Sequence, residues 1–334
     1  MDELADLVQT TADRLAQQHV GAVVAGLADG QVEIRGAGRT GRGGEVPGPH
    51  TVFEIGSVTK VFTSLLLARL SLDGTVSLDE PLADALGGDV AVPSRGGQAV
   101  TLRQLATHSS GLPKSTAGWR SRRGGCAATS ALERLGRTRL RSVPGRGFRY
   151  SGLGAGLLGL ALARRAGTGY EEAVEQEVCG PLGLTDTGVR VGAGRSVADG
   201  HGFRGRPVAP RHSAVLPGAG GLRSTAADLA VLLQAQLAAE HAPEAPLSAA
   251  IALTRETRHR VNPFAWTHLG WLGHRLHTQQ GGHLQIWHNG GTAGFRAFIA
   301  FDPGKSVGVV TLVNTHRPPD AAATALLRRL QTAA

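Results

Sequence analysis

Lysine is almost missing from this sequence. Of its 35 basic residues only Lys60, Lys114 and Lys305 are lysines, and the other 32 are arginines. Positive charge is therefore written as Arg by default, and each Lys invites a chemical reason. Cysteine is equally scarce: Cys126 and Cys179 form no CxxC and no metal-ligand spacing, which reads as buried free thiols in a reducing compartment. Aromatic residues make up 4%. Single-strand nucleic-acid binding needs aromatics interleaved with basic side chains, so the net charge of +9 and pI near 10.8 read as a solvated arginine surface, not a nucleic-acid site. The longest apolar run, LGAGLLGLALA (153–163), is too short to span a bilayer. The acidic start MDELADLVQTTADRLAQQHV has no 7–15-residue apolar stretch, so no signal peptide is expected, and the chain is read as cytoplasmic with no membrane partner. Thirteen histidines contain no HExxH and no facing pair on a helix, and nothing calls for a metal or cofactor.

What the sequence does have is glycine, 48 of 334 residues, and apolar residues at 41%, which together describe a globular chain of Leu, Ala and Val cores joined by many tight turns. The spacing of Leu4, Leu7, Val8, Ala12 and Leu15 predicts an amphipathic first helix. GAVVAGLA (21–28) and QVEIRGAG (31–38), joined at Asp29-Gly30, predict a hairpin. Strand patterns return late, in LQIWH (284–288), FRAFIAFD (295–302) and SVGVVTLVN (306–314), before a last helix over 321–332. The expected fold is α/β of the α+β kind: one antiparallel sheet built from both ends of the chain and flanked by helices, with a mainly helical insert. Residues 1–75 and 221–334 would form the sheet subdomain, 76–220 the helical one, and the active site would lie between them. Segments 114–125 and 255–282 read as substrate-facing loops.

A glycine-rich chain generates false fingerprints. GAGRTG (36–41) and GAGLLG (154–159) both match G-x-G-x-x-G, yet the first runs into RGGEVPGP, which cannot open a helix, and the second lies inside a helical run. Neither is a dinucleotide site. GKSVG (304–308) fits the nucleophile-elbow pattern, but Pro303 and Gly304 between two strands predict a hairpin turn.

One pattern survives. In FEIGSVTKVFTSLLLARL (53–70), Ser57 and Lys60 stand three residues apart at the head of an apolar helix, hence on one face. A serine hydroxyl is a poor nucleophile until something accepts its proton. A lysine can do so as a neutral amine, which burial favours, whereas a guanidinium stays protonated. Ser57 as a mere helix cap is the plain alternative.

Three ordered motifs decide between them. SVTK (57–60) with its F-E-I-G-S lead-in, YSG (150–152) within RGFRYSGLGAGLLG, and HNGG (288–291) within WHNGGTAGF resemble the serine β-lactamase and D-alanyl-D-alanine peptidase superfamily, most closely its class C-like branch. LATHSSGLP (105–113), PLGLTDT (181–187) and GGLRSTAADLA (220–230) look like further landmarks in the right order. The resemblance implies the β-lactamase/transpeptidase-like fold and the following roles. Ser57 would be acylated, with Lys60 and Tyr150 moving protons. The N–H groups of Ser57 and Gly291 would form the oxyanion hole. His288 would line the site and orient substrate or the Tyr150 hydroxyl. Gly152, Asn289, Gly290 and Thr292 would meet substrate. Packing alone for Tyr150, a satisfied structural role for His288, and turn formation for Asn289 and Thr292 remain the competing readings.

Gly152 departs from the family pattern, which has Asn there. Its loss removes a donor and an acceptor from the site. That weakens the case for β-lactam or peptide recognition more than the case for serine acylation. The expected activity is cleavage of a small-molecule ester, or an amide less readily, through an acyl-Ser57 intermediate resolved by water or a second nucleophile. A β-lactamase or D-Ala carboxypeptidase, and a catalytically silent binding protein, are the alternatives.

Overall fold

The computed structural model describes residues 2–114, 132–209, 216–245 and 247–333; Cys126 and, apart from Lys114, the segment 114–125 read as a substrate-facing loop lie outside the described residues. Helix α1 (Asp2–Ala16) lays Leu4, Val8, Ala12 and Leu15 on a sheet. The hairpin of β1 (Gly21–Ala28) and β2 (Gln31–Gly38) turns at Asp29 and Gly30, both with positive φ (51° and 74°). That pairing of left-handed residues suits a two-residue hairpin turn.

A short ladder of β3 (Phe53–Glu54) and β4 (Arg223–Ser224) stands apart from the main sheet. The main sheet is completed by β5 (His259–Asn262), β6 (Ala265–Thr267), β7 (Leu272–Arg275), β8 (Leu284–Gly291), β9 (Arg296–Asp302) and β10 (Val307–Val313). Its order is β2-β1-β10-β9-β8-β7-β6-β5, and every neighbouring pair is antiparallel. The fold expected from the sequence is therefore present, with β1 pairing β10 across nearly the whole chain. GKSVG is the β9–β10 turn, where Asp302 faces Val307.

Side chains alternate between two cores, as the strand period of two requires. Val23, Ala25, Leu27, Ile299, Phe301, Val310 and Leu312 face the larger core, and Ala22, Val24, Phe298, Ala300, Val309 and Val313 face the smaller one. The smaller core is closed by α1 and the last helix, α10 (Asp320–Ala333). The larger one is closed by the helices between, in chain order α2 (Thr59–Leu72), α3 (Leu82–Ala85), α4 (Leu102–Ala106), α5 (Gly152–Ala166), α6 (Tyr170–Val174), α7 (Gly180–Leu182), α8 (Ala226–Ala238) and α9 (Ser248–Glu256). Among the described residues no helix is long and apolar enough to cross a membrane.

One sequence reading changes. The segment 255–282, expected to be a loop, carries the three short strands β5–β7 that extend the sheet. HRVN, AWT and LGHR are too short and too polar for alternation to show. The apolar helix α2 is buried nearly throughout: Thr59 to Ala68 and Leu70 are all buried, so Lys60 enters the protein interior with it. Cys179 is a buried free thiol.

Candidate active site

Ser57 sits in a 3-10 turn, Gly56–Val58, that leads into α2. Its side chain caps nothing; Val58 is the first flanking residue of α2 and no side-chain cap bond is made. Instead Lys60 Nζ lies 3.0 Å from Ser57 Oγ. A second oxygen holds the amine: the carbonyl of Ala219, 2.5 Å away, at the end of the 3-10 turn Pro217–Ala219. Among the described residues no carboxylate pairs with the lysine, and burial pulls its pKa down to about 7. A sizeable neutral fraction near neutral pH is what a proton-accepting lysine needs.

The glycines of GAGLLG explain how Ala219 reaches Lys60. A Cβ on Gly159 would lie 3.0 Å from the Gly218 Cα, and one on Gly156 would strike Leu216, so two bare turns of α5 let the 217–219 turn approach. Thr63 Oγ1 then donates to Gly218 O (3.0 Å) and pairs with the Tyr170 hydroxyl (2.7 Å). Tyr170, the second of two tyrosines, belongs to this brace.

Tyr150 precedes Ser151, the N-cap of α5, whose Oγ accepts from Gly154 N–H (2.9 Å) and donates to Pro113 O (2.7 Å). The Lys60 amine lies 5.2 Å from the Tyr150 ring centre. Burial raises the Tyr150 pKa above its ordinary value, with the Ser57 hydroxyl acting the other way. The phenol thus stays protonated near neutral pH, and of the two candidate bases Lys60 is the one poised to accept.

Two imidazoles complete the enclosure. His288 is buried, with its ring centre 6.2 Å from that of Tyr150. Its Nδ1 lies 2.7 Å from the Asn289 carbonyl, an acceptor, so Nδ1 carries the proton and Nε2 is bare. Nε2 is buried without a hydrogen-bond partner among the described residues. Burial first, and then Lys60, pull the His288 pKa down to about 3. His108, missed in the sequence as a site residue although it lies in the quoted LATHSSGLP, packs its ring 4.4 Å from Tyr150 and accepts the Ser151 N–H on Nδ1 (3.3 Å). Its pKa also falls far below the usual histidine value, through burial, then Lys60 and His288. Both rings are neutral at pH 7.

Strand β8 supplies the other wall. Thr292 N–H bonds Phe295 O (3.1 Å), so by antiparallel alternation Gly291, in register with Arg296, turns its N–H to the opposite edge. That edge faces Ser57. A Cβ on Gly56, which has φ of +51°, would lie 2.5 Å from Gly291 N; one on Gly290 would overlap Ile55 O and come 3.1 Å from Ser57 N. The N–H groups of Ser57 and Gly291 are thereby brought to one place, the arrangement that stabilises an oxyanion. Glycine at 291 has a further reason beyond leaving room for a carbonyl: the Arg296 guanidinium occupies the space a Cβ would take.

Two expected substrate contacts look different in the structure. Asn289 alternates to the face opposite His288 and gives its amide N–H to Asp320 Oδ1 at the start of α10 (2.6 Å), so it does not reach into the cleft. Gly152 N–H bonds Lys114 O (2.9 Å), and a Cβ at 152 would press on that oxygen at 3.3 Å. The backbone of Lys114 thus crowds the place where relatives carry Asn. Among the described residues no group of three or more His, Cys, Asp or Glu is arranged to hold a metal ion.

The geometry agrees with the comparison to known proteins. The family model described as Beta-lactamase matches residues 4–334. The chain belongs to the Beta-lactamase family. Within it, a D-alanyl-D-alanine-carboxypeptidase/endopeptidase of Escherichia coli K12, AmpH, is 34% identical over 192 residues; that match covers 55% of this chain and about half, 49%, of the relative's length. A β-lactamase of Pseudomonas fluorescens is 26% identical across 95% of both chains. The structure of a D-alanine carboxypeptidase, AmpC, from Burkholderia cenocepacia superposes with a TM-score of 0.84 at 27% identity, covering 100% of this chain and 99% of its own. Placed in this family, SVTK, YSG and HNGG are the three motifs that surround one cleft.

Proposed function

We propose that this Beta-lactamase family member is a serine acyl-enzyme hydrolase or transacylase whose preferred substrate is an ester. The observation that carries the reading is the Ser57–Lys60 pair: a buried amine 3.0 Å from the hydroxyl, paired with no carboxylate among the described residues, with a pKa pulled to about 7. Neutral Lys60 takes the Ser57 proton as Oγ attacks the carbonyl carbon. The oxyanion of the tetrahedral intermediate is met by the N–H groups of Ser57 and Gly291. Collapse breaks the bond to the leaving oxygen, which receives a proton from Lys60 through the protonated Tyr150 hydroxyl, and leaves acyl-Ser57. Water, or a second nucleophile, then attacks the acyl carbon by the same route in reverse. His108 and His288 contribute shape and neutral dipoles and add no charge.

The ester preference is supported by Gly152, which offers no carboxamide where the family pattern has Asn; the Lys114 carbonyl oxygen lies 3.3 Å from where a Cβ would stand. The names of the relatives favour a second reading, β-lactam or D-Ala peptide cleavage. Intact-mass analysis after a fluorophosphonate probe, with p-nitrophenyl acetate and nitrocefin turnover in parallel, tests both. An adduct on the wild-type protein, absent from Ser57→Ala, with brisk ester and slow nitrocefin cleavage is the expected result. Fast nitrocefin turnover would promote the second reading. No adduct and no ester cleavage would overturn both.

A further inference from the structure

The positive charge of this chain is unevenly placed. Residues 90–150 hold 12 of the 35 basic residues and one of the 26 acidic ones, Glu133. The rest of the chain carries 23 basic against 25 acidic residues, so the whole positive excess comes from this one stretch. Elsewhere arginines such as Arg165, Arg190, Arg195 and Arg255 pair with carboxylates. In the stretch itself Arg137, Arg139, Arg141, Arg146 and Arg149 are exposed, and among the described residues none of them makes an ion pair.

The backbone fastens these arginines to the active site. Arg141 N–H donates to Gly111 O (2.8 Å), Gly145 N–H to Ser109 O (2.9 Å) and Arg149 N–H to His108 O (2.7 Å), and the next residue is Tyr150. The segment is thus the rim of the cleft on the Tyr150 side, held by backbone bonds that leave the guanidinium groups to solvent. Its apolar residues turn inward: Leu135, Leu140 and Pro144 are buried, and Phe148, 38% exposed, meets the His108 ring edge-on. An anionic lipid surface asks for apolar side chains that insert beside the basic ones, and a nucleic-acid strand asks for stacking platforms. The rim offers one half-exposed ring for either purpose. Carboxylates on a polypeptide ask only for guanidinium groups free to fork onto them.

We infer that the 137–149 rim is a docking surface for an acidic polypeptide that carries the ester cleaved at Ser57. The delivery of the ester rests on the acyl-serine reading; the docking does not. The probe is a short peptide with a central O-acetylserine flanked by glutamates, set against the same peptide with glutamines, and read as acetate release. At low salt the wild type should favour the glutamate peptide by roughly tenfold or more in kcat/KM, and sodium chloride should erode the preference, because rim charges act on encounter. Replacing the five rim arginines by Gln should abolish the preference and leave p-nitrophenyl acetate turnover unchanged. Replacing Arg14, Arg260, Arg275, Arg328 and Arg329, exposed on other elements, by Gln removes the same charge and should keep most of the preference. No preference in the wild type, or equal loss in the two fivefold variants, would overturn the proposal and leave the arginines as a solvated face. Vesicles of phosphatidylcholine and phosphatidylglycerol bound through the same five arginines, with no preference for the glutamate peptide, would overturn it in favour of a membrane surface. Fluorescence anisotropy of the labelled glutamate peptide with Ser57→Ala reads docking alone. Rim-dependent binding in a protein whose wild type takes no fluorophosphonate would uphold the docking and sink the acylation; labelling without rim-dependent binding would do the reverse.

Discussion

The Lys60 ammonium is fastened to the Ala219 carbonyl at 2.5 Å on one side and to Ser57 Oγ at 3.0 Å on the other. Two neutral oxygens hold the amine in place without neutralising it, which is why burial dominates its protonation. The kcat/KM of ester cleavage should therefore rise with pH through about 7, as Lys60 loses its proton, in a pH–rate profile measured from 5 to 9. Lys60→Arg keeps the charge and cannot accept the proton, so acylation by a fluorophosphonate should stop. A profile flat through neutrality would remove Lys60 as the base.

The same depressed pKa has a stability consequence. In the unfolded chain the lysine titrates near the ordinary lysine value of 10.5, and in the folded protein near 7. Between those values the unfolded state binds more protons, so the Lys60 contribution to stability increases as pH rises from 7 to 10.5, by about 5 kcal/mol in all. Below pH 7 the penalty is fully present. Lys60→Met should thus be more stable than wild type at pH 6, with the difference shrinking or reversing towards pH 10, as read by chemical denaturation at several pH values.

Gly290 is pressed against Ile55 and Ser57. Gly290→Ala must push β8 away from the Ser57 turn and part the two oxyanion N–H groups. A loss of about 100–1,000-fold in kcat, the usual cost of one such donor, is expected with little change in KM. Steady-state kinetics on p-nitrophenyl acetate, with circular dichroism to verify the fold, would settle it.

His108 has φ of 55° although it is not glycine, a conformation that costs on the order of 1 kcal/mol. The surrounding bonds hold it there: Arg149 N–H to His108 O (2.7 Å) and Ser109 N–H to Gln104 O (2.9 Å). With its ring on Tyr150 and its Nδ1 on the Ser151 N–H, it fixes where the phenol stands. His108→Phe keeps a ring but loses the acceptor. Its kcat should fall about tenfold or more with the pH midpoint near 7 retained, whereas His108→Asn, which can still accept the N–H, should lose less. Equal losses in both variants would reduce the residue to packing.

Gly152→Asn tests why the family pattern is broken here. A Cβ at 152 would lie 3.3 Å from the Lys114 carbonyl oxygen, a tight contact that asks the Lys114 backbone to shift slightly. Nitrocefin turnover should not rise in the single variant. A large gain would show that the Lys114 strand gives way freely and that Gly152 alone limits amide substrates.

Parts of this site were legible because they are local. Ser57 and Lys60 meet through helical spacing, and Asp29-Gly30 announces its hairpin in two residues. The strands β8 to β10 show themselves in the largely apolar stretches LQIWH, FRAFIAFD and SVGVVTLVN. His108 was hidden because its function comes from a left-handed backbone and a ring contact 42 positions away in the chain. Ala219 was hidden for a related reason, since it meets Lys60 through a backbone carbonyl that any residue would supply. Strands β5 to β7 escaped because partial exposure at a sheet edge erases the alternation that a buried strand shows.

The two N–H groups proposed to meet the oxyanion come from distant parts of the polypeptide, Ser57 in the turn before α2 and Gly291 at the end of β8, in a fold whose sheet pairs β1 with β10. Such pairings are slow to form, because the long intervening chain must be ordered first. A nascent or partly folded chain would already carry the Ser57–Lys60 pair on its helix, yet it would have nowhere to place the developing negative charge. The proposed chemistry therefore waits on the docking of β8 against the Ser57 turn, and covalent labelling of Ser57 during refolding would time that docking directly.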